Sequence, residues 1–349
     1  MYIEILKNDE AATLKSLIEQ SEKIVLCCHQ NPDGDALGSC LGLAEYLKRL
    51  GKEPLIAIPD AFPDFLQWMP DAQTIVRFDK HRETVEEAMA GAELVFCLDF
   101  NRPERLGDEM CAVLKASPAK KVLIDHHLDP CLEAVLSISC PEMSSTSEMV
   151  FRAIWQLGGF EGMTKKGAVP IYCGMMTDTG GFTFNSSRPE IFFIISQLLT
   201  KGFDKDKVYR NVFHNYSDWR MRLMGYVLYQ KMRVFHDCHA AYFTISRQDM
   251  KRFRFIKGDA EGLVNLPLQI KGVRLSISLR EDREQDNLVW VSLRSVDEVT
   301  CNDIAERFFN GGGHRNASGG RLNCTLEEAE QIAVQAIKWN AERLQENKK

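Results

Sequence analysis

An acidic turn near the start of the chain carries the residue types of a metal site. It runs from His29 to Ser39 and contains Asp33 and Asp35 as well as the imidazole. Charged groups crowded into one turn are costly unless a cation lies among them, because like charges disfavour one another's ionisation. Imidazole and carboxylate groups are ligands for divalent cations. The turn therefore predicts a metal site, although helix capping is the simpler interpretation of Asp35 alone.

Further along the chain, three segments end in residues that could complete such a site. Two short apolar runs end at Asp99 and at Asp125-His126-His127, and a longer one leads into Asp178. Four ionised carboxylates contribute a charge of about −4, which two divalent cations balance and one does not. Nitrogen and oxygen donors without thiolate favour Mn²⁺, with Mg²⁺ or Co²⁺ as alternatives. The candidate metal ligands are His29, Asp33, Asp35, Asp99, His126 and Asp178.

The elements that must position these residues alternate between strand and helix. This alternation predicts an α/β fold with a mainly parallel sheet covered by helices on both faces. Ligands of such sheets bind outside the carboxyl ends of the strands, which is where three of the candidate segments fall. The predicted strands are Ile24–Cys28, Pro54–Ile58, Thr74–Phe78, Leu94–Leu98 and Lys121–Ile124, and the predicted helices are 11–20, 36–50, 82–90, 103–115 and about 145–157.

The pattern changes after about residue 240. A smaller mixed α/β domain is predicted there, with strands near 241–245, 274–279 and 288–293 and helical segments near 259–271, 301–309 and 325–346. We expect a catalytic, metal-binding domain over 1–190, a helical connector over 191–235 and a substrate-binding domain over 236–349.

Composition excludes several classes of protein. The 349-residue chain has a formal net charge of −6, which argues against a protein that grips long duplex nucleic acid through its phosphates. Its 11 cysteines show no disulfide framework and no CxxC spacing, as is typical of a reducing compartment. The N-terminus does not resemble a signal peptide, and no apolar run is long enough to span a membrane. We expect a cytoplasmic protein without a membrane partner.

The motifs also resemble a known family when they are taken in order. The turn His29–Ser39, then Asp99, then Asp125-His126-His127, then Asp178-Thr179-Gly180 are similar to the motifs of the DHH phosphoesterase superfamily. The later Gly311–Gly319 stretch resembles the glycine-rich GGGH motif of the DHH-associated C-terminal domain. Length and layout are similar to the oligoribonuclease (nanoRNase) and pAp-phosphatase branch.

The resemblance implies a role for each residue of the first domain. His29 and Asp33 would hold one metal, and Asp35, His126 and Asp178 the other. Asp99 would bridge the two ions. Asp125 would orient a neighbouring histidine, and His127 would face the phosphate as a charge stabiliser or proton donor. In these terms the catalytic residues are Asp99, His126 and His127.

In the second domain, the resemblance implies a site that anchors a substrate phosphate. Glycine-rich backbone can turn N–H groups toward an anion, although a glycine turn ending a helix is the simpler interpretation of the triplet alone. The basic and aromatic segment Lys251–Lys257 is interpreted as a solvated helix face with a phenylalanine packed inward. The implied substrate-binding residues are Arg294, Ser295, Gly312, Gly313 and His314.

With this ligand set, the resemblance implies a Mn²⁺-dependent hydrolase that degrades short RNA oligonucleotides to 5′-mononucleotides and converts 3′-phosphoadenosine 5′-phosphate (pAp) to AMP. One alternative is a phosphodiesterase of cyclic dinucleotides or of linear dinucleotides of the pApA type. An alternative of another class is a non-catalytic nucleotide sensor. Expected partners are short oligoribonucleotides or small phosphorylated nucleotides, with a homodimer as a further expectation. The sequence leaves the direction of attack and the preferred substrate open.

Overall fold

The chain folds into two compact units. The computed structural model describes residues 3–346, and its contacts separate Met1–Asn215 (unit 1) from Tyr216–Lys349 (unit 2). The division falls inside the predicted connector 191–235. The predicted domain boundaries at residues 190 and 236 stay a prediction.

Unit 1 is built on the predicted parallel sheet, here of six strands. The order is β3-β2-β1-β4-β5-β6, and every pairing is parallel. The order reverses between β1 and β4, so the crevice expected for ligands lies at their carboxyl ends. The strands are β1 (Ile24–Cys27), β2 (Leu55–Ile58), β3 (Val76–Arg77), β4 (Leu94–Leu98), β5 (Lys120–Asp125) and β6 (Leu136–Ser139).

Helices surround this sheet and carry part of the candidate site. The α2 helix begins at Gly34 inside the acidic turn, two residues earlier than predicted, and the α6 helix ends at Asp178. The helices of unit 1 are α1 (Asn8–Gln20), α2 (Gly34–Arg49), α3 (Arg82–Gly91), α4 (Asp108–Ala116), α5 (Thr146–Gln156), α6 (Lys165–Asp178), α7 (Pro189–Leu199) and α8 (Lys205–Phe213).

Three local predictions for unit 1 were wrong. The helix expected over 103–115 is interrupted at Gly107, whose φ of +77° is not helical, and its first part is the 3₁₀ turn Pro103–Leu106. The strand expected over 74–78 pairs only at Val76–Arg77. The four-residue edge strand β6 was not predicted.

Unit 2 contains a second six-stranded sheet, of order β11-β12-β10-β9-β8-β7. It is mixed as predicted, since β8 and β9 are parallel and the other pairs are antiparallel. Its strands are β7 (Arg233–Phe235), β8 (Ala240–Ile245), β9 (Leu275–Glu281), β10 (Val289–Ser295), β11 (Gly312–His314) and β12 (Ala317–Leu322), and its helices are α9 (Asp218–Tyr226), α10 (Arg247–Arg252), α11 (Cys301–Phe308) and α12 (Leu326–Glu346).

Two expectations for unit 2 can be compared with its packing. The segment expected to be helical over 259–271 is a 3₁₀ turn, Leu263–Gln269, with Pro267 inside it. Phe253 and Phe255 are both buried, as the predicted inward packing of a phenylalanine requires, but α10 ends at Arg252, so most of the Lys251–Lys257 segment is not a helix face.

Alternating strand residues build apolar layers on opposite faces of each sheet. In unit 1, Leu26 and Phe96 belong to one layer, and Cys27 and Cys97 belong to the other. Within the described residues, no helix combines the length and apolar character needed to cross a bilayer.

Candidate metal centre and active site

The candidate residues of unit 1 gather at the carboxyl edge of the sheet, at the point where the strand order reverses. His29 lies two residues past β1, Asp99 follows β4 directly, and His126 follows β5 directly. Strands β1 and β5 both pair with β4, so their ends lie side by side. Parallel strands therefore deliver three of the six candidate ligands to one place.

The α2 and α6 helices bring the remaining ligands and approach each other very closely. Gly34, Gly38 and Gly42 repeat every fourth residue along α2 and face α6. A Cβ atom at Gly38 would lie 2.5 Å from the carbonyl oxygen of Pro170, closer than a Cβ atom and a non-bonded oxygen can approach. Glycine at these positions therefore sets the distance between the start of α2, with Asp33 and Asp35, and the end of α6.

The first ligand group consists of His29, Asp33 and Asp99. His29 Nε2 lies 3.9 Å from Asp33 Oδ2 and 3.4 Å from Asp99 Oδ2. His29 Nδ1 donates to the carbonyl of Gln30 at 2.8 Å, which turns Nε2 toward the carboxylates.

Helix α2 is capped by Asp33, so the capping interpretation of Asp35 was wrong. Oδ1 of Asp33 accepts hydrogen bonds from the backbone N–H groups of Asp35 and Ala36, both at 3.0 Å. Asp33 thus caps α2 with one oxygen and turns the other toward His29. Asp35 lies one residue inside the helix and is almost fully buried.

The second group consists of Asp35, Asp99, His126 and Asp178. His126 Nε2 lies 3.9 Å from Asp35 Oδ2, 3.6 Å from Asp99 Oδ1 and 3.4 Å from Asp178 Oδ2. His126 Nδ1 donates to the carbonyl of Met143 at 3.3 Å. Both histidines therefore use Nδ1 for a backbone carbonyl and present Nε2 to the carboxylates.

Asp99 belongs to both groups. Its Oδ2 faces His29 and its Oδ1 faces His126. Its backbone has a φ of +64°, a left-handed conformation that few residues other than glycine adopt, with Asn and Asp among the exceptions. This turn directly after β4 allows one buried carboxylate to contact two histidines.

The carboxylates of this site oppose one another's ionisation. Burial, followed by the negative charges of Asp99 and Asp178, raises the pKa of Asp35 well above its ordinary value. Burial also disfavours ionised Asp99, but the hydrogen bond from His29 and the three nearby imidazoles outweigh it and lower the pKa of Asp99. Burial opposes protonation of His126, yet Asp178, Asp99 and Asp35 raise its pKa to about 9.

This arrangement of donors fits divalent cations. Ligand atoms of His29, Asp33 and Asp99 lie within 4.8 Å of one another, and so do those of Asp35, Asp99 and His126. The donors are imidazole nitrogen and carboxylate oxygen, which suit Mn²⁺ and related ions. Cations between these groups would relieve the repulsion that raises the pKa of Asp35.

His127 lies beside the two groups and contacts a different pair of residues. Its Nδ1 is 2.7 Å from Oδ1 of Asp125, and its Nε2 is 2.8 Å from Nη1 of Arg105. A guanidinium only donates, so Nε2 accepts and Nδ1 carries the proton toward Asp125. Burial, with the nearby charge of Asp99, raises the pKa of Asp125 to about 7.

Unit 2 places its candidate residues around the β10, β11 and β12 strands. Gly312, Gly313 and His314 form β11, which pairs with β12, and Arg294 pairs with Ala317 of that strand. The helix-ending turn was therefore the wrong interpretation of the glycines. A Cβ at Gly313 would lie 2.8 Å from the carbonyl oxygen of Ala317, so close strand pairing requires glycine there.

The side chains of these residues differ in accessibility. Arg294 and His314 are half-buried and Gly313 is exposed. Ser295 is buried, and its hydroxyl donates to the carbonyl of Val299 at 2.7 Å and accepts from Asn316. Ser295 therefore stabilises the turn that follows β10.

Sequence reasoning missed two residues that contact the candidate site. Arg105 lies in the 3₁₀ turn after β4, and its position after a strand that carries a candidate ligand was a usable signal. Thr146 donates from Oγ1 to Asp99 Oδ1 at 2.9 Å. Thr146 lies at the start of the helix predicted at about 145–157, and the sequence pattern indicated no further role for it.

Comparison with known proteins agrees with this architecture. The chain matches the DHH family, N-terminal domain, over residues 23–175 and the DHHA1 domain over residues 240–342. It is 31% identical to the bifunctional oligoribonuclease and PAP phosphatase NrnA of Thermus thermophilus over 317 residues, 90% of this chain and 89% of that protein.

Two further similarities differ in how much of the other protein they cover. A crystal structure of an exopolyphosphatase-related protein from Bacteroides fragilis superposes with a TM-score of 0.92 at 47% identity, over 97% of this chain and 98% of that one. The cyclic-di-AMP phosphodiesterase PdeA of Listeria monocytogenes is 24% identical over 94% of this chain, which spans 50% of PdeA. The chain therefore belongs to the DHH family of hydrolases, with that family's N-terminal domain followed by a DHHA1 domain.

Proposed function

We propose that this protein is a Mn²⁺-dependent phosphoesterase that hydrolyses short RNA oligonucleotides to 5′-mononucleotides and pAp to AMP. The observation that carries the proposal is Asp99, whose two carboxylate oxygens face two separate histidine and carboxylate groups. The similarity to an enzyme named as both an oligoribonuclease and a PAP phosphatase supports the choice of substrates.

The proposed metal ligands divide between two ions. His29 and Asp33 would hold one ion, Asp35, His126 and Asp178 the other, and Asp99 would contact both. When bound, the two cations would neutralise the phosphate charge and activate water for attack on phosphorus. Mn²⁺ is the proposed ion because the donors are nitrogen and oxygen. We also propose a cytoplasmic location, because all cysteines of the chain are free thiols.

His127 is the proposed acid that assists the leaving group. Its Nδ1–H is directed to Asp125, which fixes the ring. Nε2 accepts from Arg105 in this structure, so it would act as the acid once it takes up a proton and Arg105 turns to the phosphate. Both reactions break the bond between phosphorus and a ribose 3′ oxygen, so the same acid could protonate the leaving oxygen in each. The Arg105 guanidinium beside Nε2 adds positive charge where phosphate oxygens would lie.

In unit 2, we propose that Arg294 and His314, with the backbone of Gly312 and Gly313, bind a second phosphate of the substrate. Arginine forms charge-assisted, often bidentate, hydrogen bonds with phosphate. Ser295 would contribute indirectly, because its hydroxyl is engaged with Val299 and Asn316.

A homodimer stays a prediction, which light scattering of the purified protein can test.

A panel of substrates tests the proposed function. Purified protein with Mn²⁺ is given pAp, RNA of increasing length, linear and cyclic di-AMP, and pyrophosphate. We expect turnover of pAp and of the shortest RNAs, with 5′-mononucleotides and AMP as products. Activity confined to pyrophosphate or to long strands would overturn the proposal.

The same panel separates the alternatives. The similarity to PdeA favours a cyclic-dinucleotide phosphodiesterase as the second candidate, and preferred turnover of cyclic di-AMP would support it. A protein that binds nucleotides but hydrolyses none of them with Mn²⁺ present would be a sensor.

A further inference from the structure

The segment Met143–Glu148, which ends the connection from β6 and begins α5, contacts three of the proposed metal ligands at once. The carbonyl of Met143 accepts from Nδ1 of His126 at 3.3 Å. The backbone N–H groups of Thr146 and Ser147 donate to the two oxygens of Asp35, at 2.6 and 2.8 Å. Each carboxylate oxygen has two lone pairs, so these bonds orient Asp35 and leave it able to bind a cation.

Thr146 adds a side-chain contact to this set. Its hydroxyl donates to Oδ1 of Asp99 at 2.9 Å, across 47 positions of sequence. Both residues are buried, and the hydroxyl is the group that orients the oxygen facing His126. Thr146 therefore contacts Asp35 through its backbone and Asp99 through its side chain.

This hydroxyl is not needed to begin the helix. The N-cap of α5 is Ser145, whose Oγ accepts from the N–H of Glu148 at 3.0 Å. The first three N–H groups of α5 thus have acceptors in Asp35 and Ser145, and the Thr146 side chain makes no capping bond. A purely structural role as a helix cap therefore does not account for Thr146.

A buried ion cluster holds the segment in place. Glu148 is fully buried and accepts from the N–H and hydroxyl of Ser144 at 2.8 and 2.6 Å. Its carboxylate also pairs with Arg152 at 2.7 Å and Arg188 at 2.8 Å. Nη1 of Arg188 donates to the sulfur of Met143 at 3.3 Å. Because breaking a buried ion pair leaves an uncompensated charge, this cluster resists displacement of the segment.

We propose that Thr146 is a positioning residue of the metal centre: it orients Asp99 and Asp35 before the cations bind, and the Glu148 cluster fixes Thr146. The inference rests on the proposed function, since the residues it positions are the proposed ligands. Groups that hydrogen-bond metal ligands set ligand orientation, and their loss lowers metal affinity by about 10–100-fold.

Direct measurement of Mn²⁺ binding tests this role. Free Mn²⁺ is followed by electron paramagnetic resonance during titration of the wild type, Thr146→Val and Thr146→Ser. We expect Thr146→Val to weaken Mn²⁺ binding by about 10-fold or more, because valine keeps the shape and loses the hydroxyl. Thr146→Ser, which restores the donor, should return the affinity close to the wild-type value.

A matched control uses a threonine with a different task. Thr164 caps α6 in the same unit, accepting from Lys166 and donating to Glu45. Thr164→Val should lower the unfolding temperature and leave the Mn²⁺ affinity unchanged. This separates a loss of stability from a loss of ligand orientation.

Several outcomes would overturn the inference. Wild-type Mn²⁺ affinity in folded Thr146→Val, or a Thr146→Ser variant as weak as Thr146→Val, would each do so. If Thr146→Val does not fold, Arg188→Met tests the inference instead. Arg188 is partly exposed, and its removal breaks one ion pair of Glu148 and so loosens the segment that carries Thr146. An unchanged Mn²⁺ affinity of Arg188→Met would reject the inference. A wild type that binds no Mn²⁺ rejects the proposed metal centre itself, whereas binding without hydrolysis rejects only the proposed activity.

Discussion

The candidate residues of the two units are held in opposite ways. In unit 1, Asp35, Asp99 and His126 are at least 97% buried and receive or make hydrogen bonds with neighbouring backbone or hydroxyl groups. In unit 2, Arg294 and His314 are half-buried and lie on strands at one side of a sheet. Chemistry on a phosphate needs fixed ligand positions, whereas binding of varied nucleotides tolerates side chains that adjust.

Because of this difference, substitutions in the two units should change different kinetic constants. Loss of a fixed ligand in unit 1 should lower the catalytic rate. Loss of a contact in unit 2 should weaken binding of substrate and transition state alike, which raises KM and leaves kcat unchanged.

The largest expected effect is that of Asp99→Asn. The amide keeps the shape and the left-handed backbone but removes the negative charge shared by both groups. We expect kcat for pAp hydrolysis with Mn²⁺ to fall more than about 100-fold, beyond the loss seen for residues that only support a ligand. Asp64→Asn, at an exposed carboxylate of the same unit, is the control. A rate near that of the wild type would remove Asp99 from the centre.

A smaller effect is expected for Arg294→Gln in unit 2. A hydrogen bond to a charged group contributes about 1.5–3 kcal/mol, so KM should rise by about 10-fold or more while kcat changes little. Steady-state kinetics with pAp and with a dinucleotide measure both constants. Arg321→Gln, an exposed arginine on β12, should leave KM unchanged. A fall in kcat without a rise in KM would assign Arg294 to the chemical step instead.

Ile304→Val should change the stability of unit 2 without affecting the metal centre. Ile304 is fully buried in the core between α11 and the sheet, and removal of one buried methyl group costs about 0.5–1.5 kcal/mol. Urea unfolding should show this loss, and the Mn²⁺ affinity should stay at the wild-type value. The same change at exposed Ile256 should cost nothing measurable. Weaker Mn²⁺ binding in Ile304→Val would contradict the separation of the two units' tasks.

The smallest effect is expected for Lys251→Ala. This exposed lysine lies on the face whose Phe253 and Phe255 are buried, and surface changes of this kind usually alter stability by less than about 0.5 kcal/mol. We expect no change in KM for a dinucleotide at any salt concentration. A rise in KM that disappears at high salt would reveal a phosphate contact and extend the binding surface of unit 2.

The fold class was predicted from the alternation of strand and helix, and the family from the resemblance of the motifs. Because strand ends in a parallel sheet meet at one edge, the sequence also predicted that His29, Asp99 and His126 lie together. The predicted family is confirmed by the matches over residues 23–175 and 240–342.

Contacts between residues distant in sequence were not predictable in the same way. The hydroxyl of Thr146 could bond a cap, water or a ligand, and only the packing of α5 near the end of β4 selects Asp99. The strand pairing of Gly312 and Gly313 was not predicted, because their partners lie beyond a turn that no local pattern indicates. By sequence, Asp33 and Asp35 both suit the cap of α2. Asp33 is the cap, and the oxygens of Asp35 instead accept from backbone N–H groups at the start of α5.

The closeness of α2 and α6 has a consequence for which sequences this fold can accept. At Gly38, even a methyl group would push apart the two helices that carry Asp35 and Asp178. A random-mutagenesis screen for activity should therefore find Gly38 as intolerant as a ligand, although it offers no atom to a metal or a substrate. Gly38 is required because it has no side chain, so substitutions at this position are excluded by packing and not by chemistry. A search for functional residues by chemical type alone would not find Gly38.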